Sequence, residues 1–288
     1  MNSISESNKE IIKILTTNKN FSLIRIGAES SIVIEYCLTN NINTKNFNEN
    51  ITLFNAGIYS RSNDKIIFEK FCKIVIESYK NSSILAYINM PGQINKMQDY
   101  IINNYNLSTI HSRALEPFYI VNENEKPWTH YLKGKKVLII NPFVESFKKQ
   151  LKNKFQIFKD PDKKIFLDDQ EFIFYKAYQT SAGNHIHEDW YETYNLMCND
   201  IKNLDFDIAL LGCGGYGLPL CNFIKMNMNK SAIYIGGGLQ LLFGVMGRRW
   251  ENRDDWKKII RDNDTKFIRP SGDEILRNKD MIEQGCYW

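Results

Sequence analysis

No C-x-x-C pair occurs among the six cysteines of this 288-residue chain (Cys37, Cys72, Cys198, Cys213, Cys221 and Cys286), so neither a zinc knuckle nor a disulfide framework is indicated. They are expected to be reduced, mainly buried thiols. No apolar run approaches the roughly 18 residues of a membrane span, and the opening residues are polar. A cytoplasmic protein with no transmembrane segment is expected. The net charge is only +4 and no basic stripe concentrates it, which argues against nucleic acid as the main partner. No Lys-Ser or Lys-Thr pair closes a glycine run, so a Walker loop is excluded. His185, His187 and Asp189 form H-x-H-x-D at a helix start but lack a completing zinc ligand.

What is present is patterning. With 43% hydrophobic residues the chain has enough apolar side chain to bury a core and is expected to be folded throughout. Helical spacing runs over 5–17, 29–38, 64–79, 94–105, 127–134, 144–155, 187–201 and 218–226. Short apolar runs bounded by glycine, proline or asparagine, at 21–27, 84–88, 109–112, 135–140, 171–178, 206–211 and 232–235, read as strands. The polar, asparagine-rich stretch 39–50 reads as a loop or surface insertion. Strand alternating with helix predicts an α/β fold: a mostly parallel, Rossmann-like sheet of about seven strands with helices on both faces. No composition break marks a linker, so a single domain over 1–288 is expected, in two parts, 1–125 and 126–288.

The chain is organised around 205–250. The apolar strand Phe206–Leu211 runs into Gly212-Cys213-Gly214-Gly215-Tyr216-Gly217, which fits G-x-G-x-x-G, and Leu218–Met226 continues as a helix with Pro219 tolerable in its first turn. Bare N–H groups and the positive end of a helix dipole then lie at the carboxyl edge of the sheet, where they favour an anion such as phosphate. Tight strand–helix packing with no ligand is the plainer alternative. The dinucleotide version of the motif needs an acidic residue about 20 positions on. Here the next strand runs into Gly236-Gly237-Gly238 instead, so NAD or FAD is disfavoured and no organic cofactor is expected.

In such a sheet ligands lie beyond the carboxyl ends of the strands, and those ends supply the candidates. Arg25, Gly27 and Glu29 follow the first strand; Glu29 either serves as ligand, metal carboxylate or general base, or complements a helix dipole. Glu116, beside Pro117 and among apolar residues, has the setting for a raised pKa and proton transfer, or for a structural hydrogen bond to a turn. Asn141 and the loop carrying Gln179, Ser181 and Gly183 can read sugar hydroxyls or cap helices. Gly237, Gly238 and Gln240 follow the last strand. Arg248 and Arg249, in Gly247-Arg-Arg-Trp-Glu-Asn-Arg253, have the fork geometry to clamp a diphosphate, or form a solvated helix end. Cys213 is read as a small residue that lets backbone approach. The aromatic segment Gly285-Cys-Tyr-Trp288 is expected to pack down over the cleft.

Phe21-Ser-Leu-Ile-Arg-Ile-Gly-Ala-Glu29 resembles the opening motif of the GT-D-type glycosyltransferases, in which an R-x-G-D-G-E-like turn gives an acidic pair to a divalent metal. The 206–238 unit is similar to the late strand–glycine–helix–strand unit of that superfamily. Leu115-Glu-Pro-Phe-Tyr, Asn141-Pro-Phe, Gly247-Arg-Arg-Trp and Gly-Cys-Tyr-Trp resemble a subset associated with surface polysaccharide synthesis. Aligned without a gap, Ala28 and Ser30 stand at the acidic positions; a shift of one residue lets Glu29 serve as the single carboxylate. The resemblance implies a UDP-linked sugar donor, a glycan or lipid-linked acceptor, and Mn²⁺ or Mg²⁺ at Glu29. A nucleotide-dependent oxidoreductase acting on nucleotide sugars and a non-catalytic nucleotide-binding protein are the alternatives. Monomer and homodimer both stay open.

Overall fold

The computed structural model describes residues 2–17, 20–27, 29–39, 50–90, 92–122 and 124–288. Ala28 and residues 40–49 of the expected asparagine-rich loop lie outside the described residues. The elements run α1 (Ile4–Thr17), β1 (Ser22–Ile24), α2 (Ser30–Thr39), α3 (Ile51–Ala56), α4 (Lys65–Lys80), β2 (Ile84–Tyr87), α5 (Gln93–Tyr105) and β3 (Ser108–His111). They continue with α6 (Pro117–Asn122), β4 (Lys136–Asn141), α7 (Val144–Lys152), β5 (Glu171–Lys176), α8 (Trp190–Lys202), β6 (Ile208–Leu211), α9 (Gly217–Met228) and β7 (Ser231–Tyr234). The chain closes with α10 (Leu239–Leu242), α11 (Arg248–Glu251) and α12 (Asp254–Asn263).

The seven strands form one sheet in the order β3-β2-β1-β7-β6-β4-β5, and every pairing is parallel. The α/β expectation thus holds, and each of the seven apolar runs contributes a strand. Both parts of the chain feed this sheet, because β1 pairs with β2 on one side and β7 on the other.

The central strands are apolar on both faces because helices cover both. In β4, Val137 and Ile139 pack into one cluster while Leu138 and Ile140 pack into the other. β6 repeats the division, with Ile208 and Leu210 on the first side and Ala209 and Leu211 on the second. The edge strand β5 is only partly covered and ends in exposed residues. α1 opens with a capping box: Ser3 Oγ accepts from Glu6 N at 3.1 Å and Glu6 Oε2 accepts from Ser3 N at 2.8 Å.

Chain direction creates the site. From β4 the chain moves outward to β5, and from β6 it moves inward to β7. Because such crossovers are right-handed, the intervening helices must lie on opposite faces. Phe147 of α7 indeed joins the first cluster, whereas Leu218, Leu220 and Ile224 of α9 join the second. The carboxyl ends of β4 and β6 therefore flank a topological switch point, where open α/β sheets form a crevice.

Candidate nucleotide and sugar site

A cavity of about 820 Å³ opens along the carboxyl rim of the sheet, large enough for a substrate of cofactor size. Loops after all the strands reach it, with Arg25, Gly27 and Glu29 from β1, Arg113 and Glu116 from β3 and Asn141 from β4. Gln179 and Ser181 follow β5, Gly212, Gly214, Gly215 and Tyr216 follow β6, and Gly237, Gly238 and Gln240 follow β7. The two glycine-bearing turns at Gly27 and Gly214 thus open onto one hollow.

The glycine loop divides its labour. Gly212 sits so tightly that an added Cβ would lie 2.6 Å from Gly236 O, and Asn141 Nδ2 donates to Gly212 O at 2.7 Å. Asn141 Oδ1 accepts from Phe143 N at 2.9 Å, so this residue spends its amide bridging the two strand ends at the switch point. Gly214 has φ +57, a left-handed conformation that glycine adopts without strain. Gly217 lies behind the cavity, where a Cβ would meet the Tyr234 ring at 2.2 Å; it serves helix–strand packing. Tyr216 is buried, its hydroxyl 2.8 Å from Thr180 Oγ1. Burial pushes the Cys213 thiol well above its usual range, which leaves it an inert small side chain. At the start of α9 the Tyr216 and Gly217 N–H groups already donate to Cys213 O and Gly214 O and Pro219 has none, so the backbone N–H groups of Gly214 and Gly215, which line the cavity, are the loop's donors for an anion.

Two carboxylates occupy the opposite half, each seated on a glycine. A Cβ on Gly27 would lie 2.2 Å from both Glu29 carboxylate oxygens, and one on Gly238 would lie 2.3 Å from Glu116 Oε1. Glu29 is 8% exposed. Burial raises its pKa, against smaller opposing effects of its own backbone N–H and of Arg25. Glu116 is half-buried, and its carboxylate takes no hydrogen bond or ion pair from any described residue. Desolvation raises its pKa too, while Arg25, Arg253, Arg113 and Arg249, in that order, pull it back down. A carboxylate with a raised pKa, unpartnered and facing a cavity, is equipped to take a proton.

Four guanidiniums surround Glu116, and most are held in place by aromatic rings. Arg113 lies 4.9 Å from the Tyr119 ring centre, and Arg253 Nη2 donates to Tyr119 Oη at 3.3 Å. Arg249 lies 4.7 Å from the Tyr287 ring centre and donates to Glu283 at 2.5 Å. Arg25 Nη1 donates to Ile235 O at 3.1 Å. The 285–288 segment does pack down: Tyr287 and Trp288 line the cavity, and Trp288 Nε1 donates to Glu274 O at 2.8 Å.

Gly183 and Arg248 fall outside the cavity lining. Gly183 packs beside Phe54, and Arg248 Nη1 donates to Gln284 O at 2.9 Å on the surface. Gln179 reaches the cavity while its amide donates to Glu274 O at 3.3 Å. Gln240 is buried and donates to Tyr287 O at 3.1 Å. His187 and Asp189 of the H-x-H-x-D segment are structural: His187 Nδ1 is 3.0 Å from Thr193 Oγ1, and Asp189 caps α8 by accepting from Glu192 N at 2.8 Å.

No known protein family, curated protein or solved structure matches this chain. Sequence reasoning passed over Arg113, Tyr119, Arg253 and Asn55, all of which line the cavity. Arg113 stands two residues beyond β3, so the strand-end rule applied there would have found it. Arg253 ends the same arginine-bearing segment as Arg249, beyond the end of α11, with an extended backbone as the N-cap of α12. Asn55 had no such signal; its Oδ1 is buried without a hydrogen-bond partner, an arrangement that in a native site calls for a ligand or a water.

The raised pKa of Glu29 has a consequence for stability. Its native form holds a proton more tightly than its unfolded form, so wild-type stability falls as pH rises from the ordinary glutamate value to the raised one. Glu29→Gln removes that dependence. Urea unfolding is expected to show the variant more stable than wild type at pH 8, with the difference shrinking towards pH 4; a difference constant with pH counts against the buried, weakly paired carboxylate.

Proposed function

We propose that this protein is a glycosyltransferase that moves a sugar from a nucleotide diphosphate donor, UDP-linked by the family resemblance, to an acceptor hydroxyl of a glycan or lipid-linked sugar. One observation carries the reading: an unpartnered, half-buried carboxylate, Glu116, faces the same cavity as a glycine loop at a helix N-terminus. A base and an anion-binding loop in one hollow are what sugar transfer from a diphosphate requires.

The donor diphosphate sits against the Gly212–Tyr216 loop, where N–H groups and the α9 dipole take negative charge. Glu116 accepts the proton of the acceptor hydroxyl as that oxygen attacks the anomeric carbon. The bond from that carbon to the diphosphate oxygen breaks, and the electron pair leaves with the nucleotide. Charge growing on the leaving group is stabilised by the loop already in place. The greater exposure of Glu116 towards the cavity favours it over Glu29 as the base. Among the described residues no group of three or more His, Cys, Asp or Glu side chains could hold a metal ion. Glu29, which lines the cavity, would be the protein carboxylate for a Mg²⁺ or Mn²⁺ ion, whose chemistry would be to neutralise phosphate charge.

A nicotinamide enzyme has less support, because β7 ends at Ile235-Gly236-Gly237-Gly238 and offers no carboxylate to a ribose. A purely binding role gives no reason to keep Glu116 unpartnered. The test is release of UDP from a panel of UDP-sugars supplied with glycoside acceptors. Release dependent on Glu116 supports the proposal, and no release from any donor, with or without Mn²⁺, removes it.

A further inference from the structure

The geometry points to an acceptor that carries a negative charge: the arginine end of the cavity is a subsite for a sugar bearing a carboxylate or phosphate. This rests on the transferase reading above and adds the acceptor's chemical class to it.

The cavity has two anion-attracting ends, separated across the sheet. The glycine loop follows β6, whereas Arg25 follows β1 and Arg113 follows β3, and β7 lies between β6 and β1. Arg25 reaches back over β7, its Nη1 donating to Ile235 O, but Arg113 follows β3, four strand spacings of about 4.8 Å, roughly 19 Å, from β6. A diphosphate on the glycine loop does not span to Arg113. With the donor's phosphates on the glycine loop, the arginine end faces the other substrate.

Its charges leave room for an anion. Arg249 is paired with Glu283, and Arg253 is paired with Asp255 through both guanidinium and carboxylate edges. Arg25 and Arg113 have no ion pair with any described residue. Four arginines face four carboxylates at this end, Glu29, Glu116, Glu283 and Asp255, so what is open to an anion is the two guanidiniums without an ion pair rather than a net charge. Guanidinium forks match carboxylate and phosphate oxygens in pairs. Tyr119, Trp250 and Tyr287 line the same end, and rings interleaved with arginines offer a sugar an apolar face beside the charge.

The experiment is titration of UDP-saturated protein with methyl glucuronide, methyl glucoside 6-phosphate and uncharged methyl glucoside. At least one charged sugar is expected to bind about tenfold or more tightly than the uncharged one, and the one preferred identifies carboxylate or phosphate. Arg113→Ala is expected to erase the preference without changing UDP affinity. Equal binding of all three sugars, binding of none, or displacement of the charged sugar by UDP overturns the inference; the last would place the donor's phosphates among the arginines. If UDP itself fails to bind while the charged sugar is still preferred, the transferase reading falls and an anionic-sugar site stands. If UDP binds and the preference is absent, only this inference falls.

Discussion

Glu116→Gln is expected to lower sugar transfer by about 10²- to 10⁴-fold, the usual contribution of a positioned general base, while leaving UDP affinity and the fold unchanged. The amide keeps the size of the carboxylate, and no described residue bonds to the Glu116 carboxylate, so no partner is orphaned. The exchange also relieves burial of a charge, so thermal stability should not drop. The wild-type rate should rise with pH through the raised pKa of Glu116, because only the ionised form accepts a proton, and the variant should lack that limb. A fall in rate accompanied by an equal fall in UDP affinity would move Glu116 from proton transfer to donor binding.

The second large effect is expected from Gly238→Ala, at about 10²-fold in the rate constant. Gly238 has φ −58, a backbone conformation that alanine adopts freely, so the substitution carries no backbone strain. What forbids a side chain there is Glu116, whose Oε1 would lie 2.3 Å from the new Cβ. The flexible carboxylate must move, and the protein stays folded with its base displaced. In a double-mutant cycle, Gly238→Ala in the Glu116→Gln background should cost little more than Glu116→Gln alone, because both act on one group. Additive losses would show that the glycine acts independently of the carboxylate.

The sequence carried the sheet well because its strands are unusual. Runs such as Val137–Ile140 and Ile208–Leu211 are apolar on both faces and bounded by polar residues or glycine, and their shortness and flanking residues mark them as strands. Even the edge strand Glu171–Lys176 betrayed itself by aromatic and β-branched residues. The glycine loop was legible for the same reason, being bracketed by a strand and a helix. Its interior was less so. Gly212 and Gly217 look like ligand glycines in sequence, yet the space at each is filled by Gly236 O and by the Tyr234 ring.

The arginines were misjudged for a geometric reason. Arg248 and Arg249 are adjacent in sequence and read as a pair, but neighbours on a helix point about 100° apart. Only Arg249 reaches the cavity. Of its working companions, Arg253 follows four residues on in the chain, whereas Arg113 comes from after β3 and meets it only through tertiary packing. The short helix α3, which brings Thr52 and Asn55 to the rim, had no apolar period to announce it. It is set instead by a local device, the Asn50 side chain accepting from Thr52 N and Leu53 N, and by Gly57 in a left-handed cap.

The most direct test of the central claim, that the rim cavity receives a nucleotide diphosphate on its glycine loop, is calorimetric titration of wild-type protein and Gly214→Val with UDP, with and without Mn²⁺. Valine both crowds the loop and disfavours the left-handed backbone found at Gly214. Saturable binding by the wild type, lost in the variant, is the predicted result. No heat from the wild type under either condition, or equal affinity in the two proteins, would contradict it.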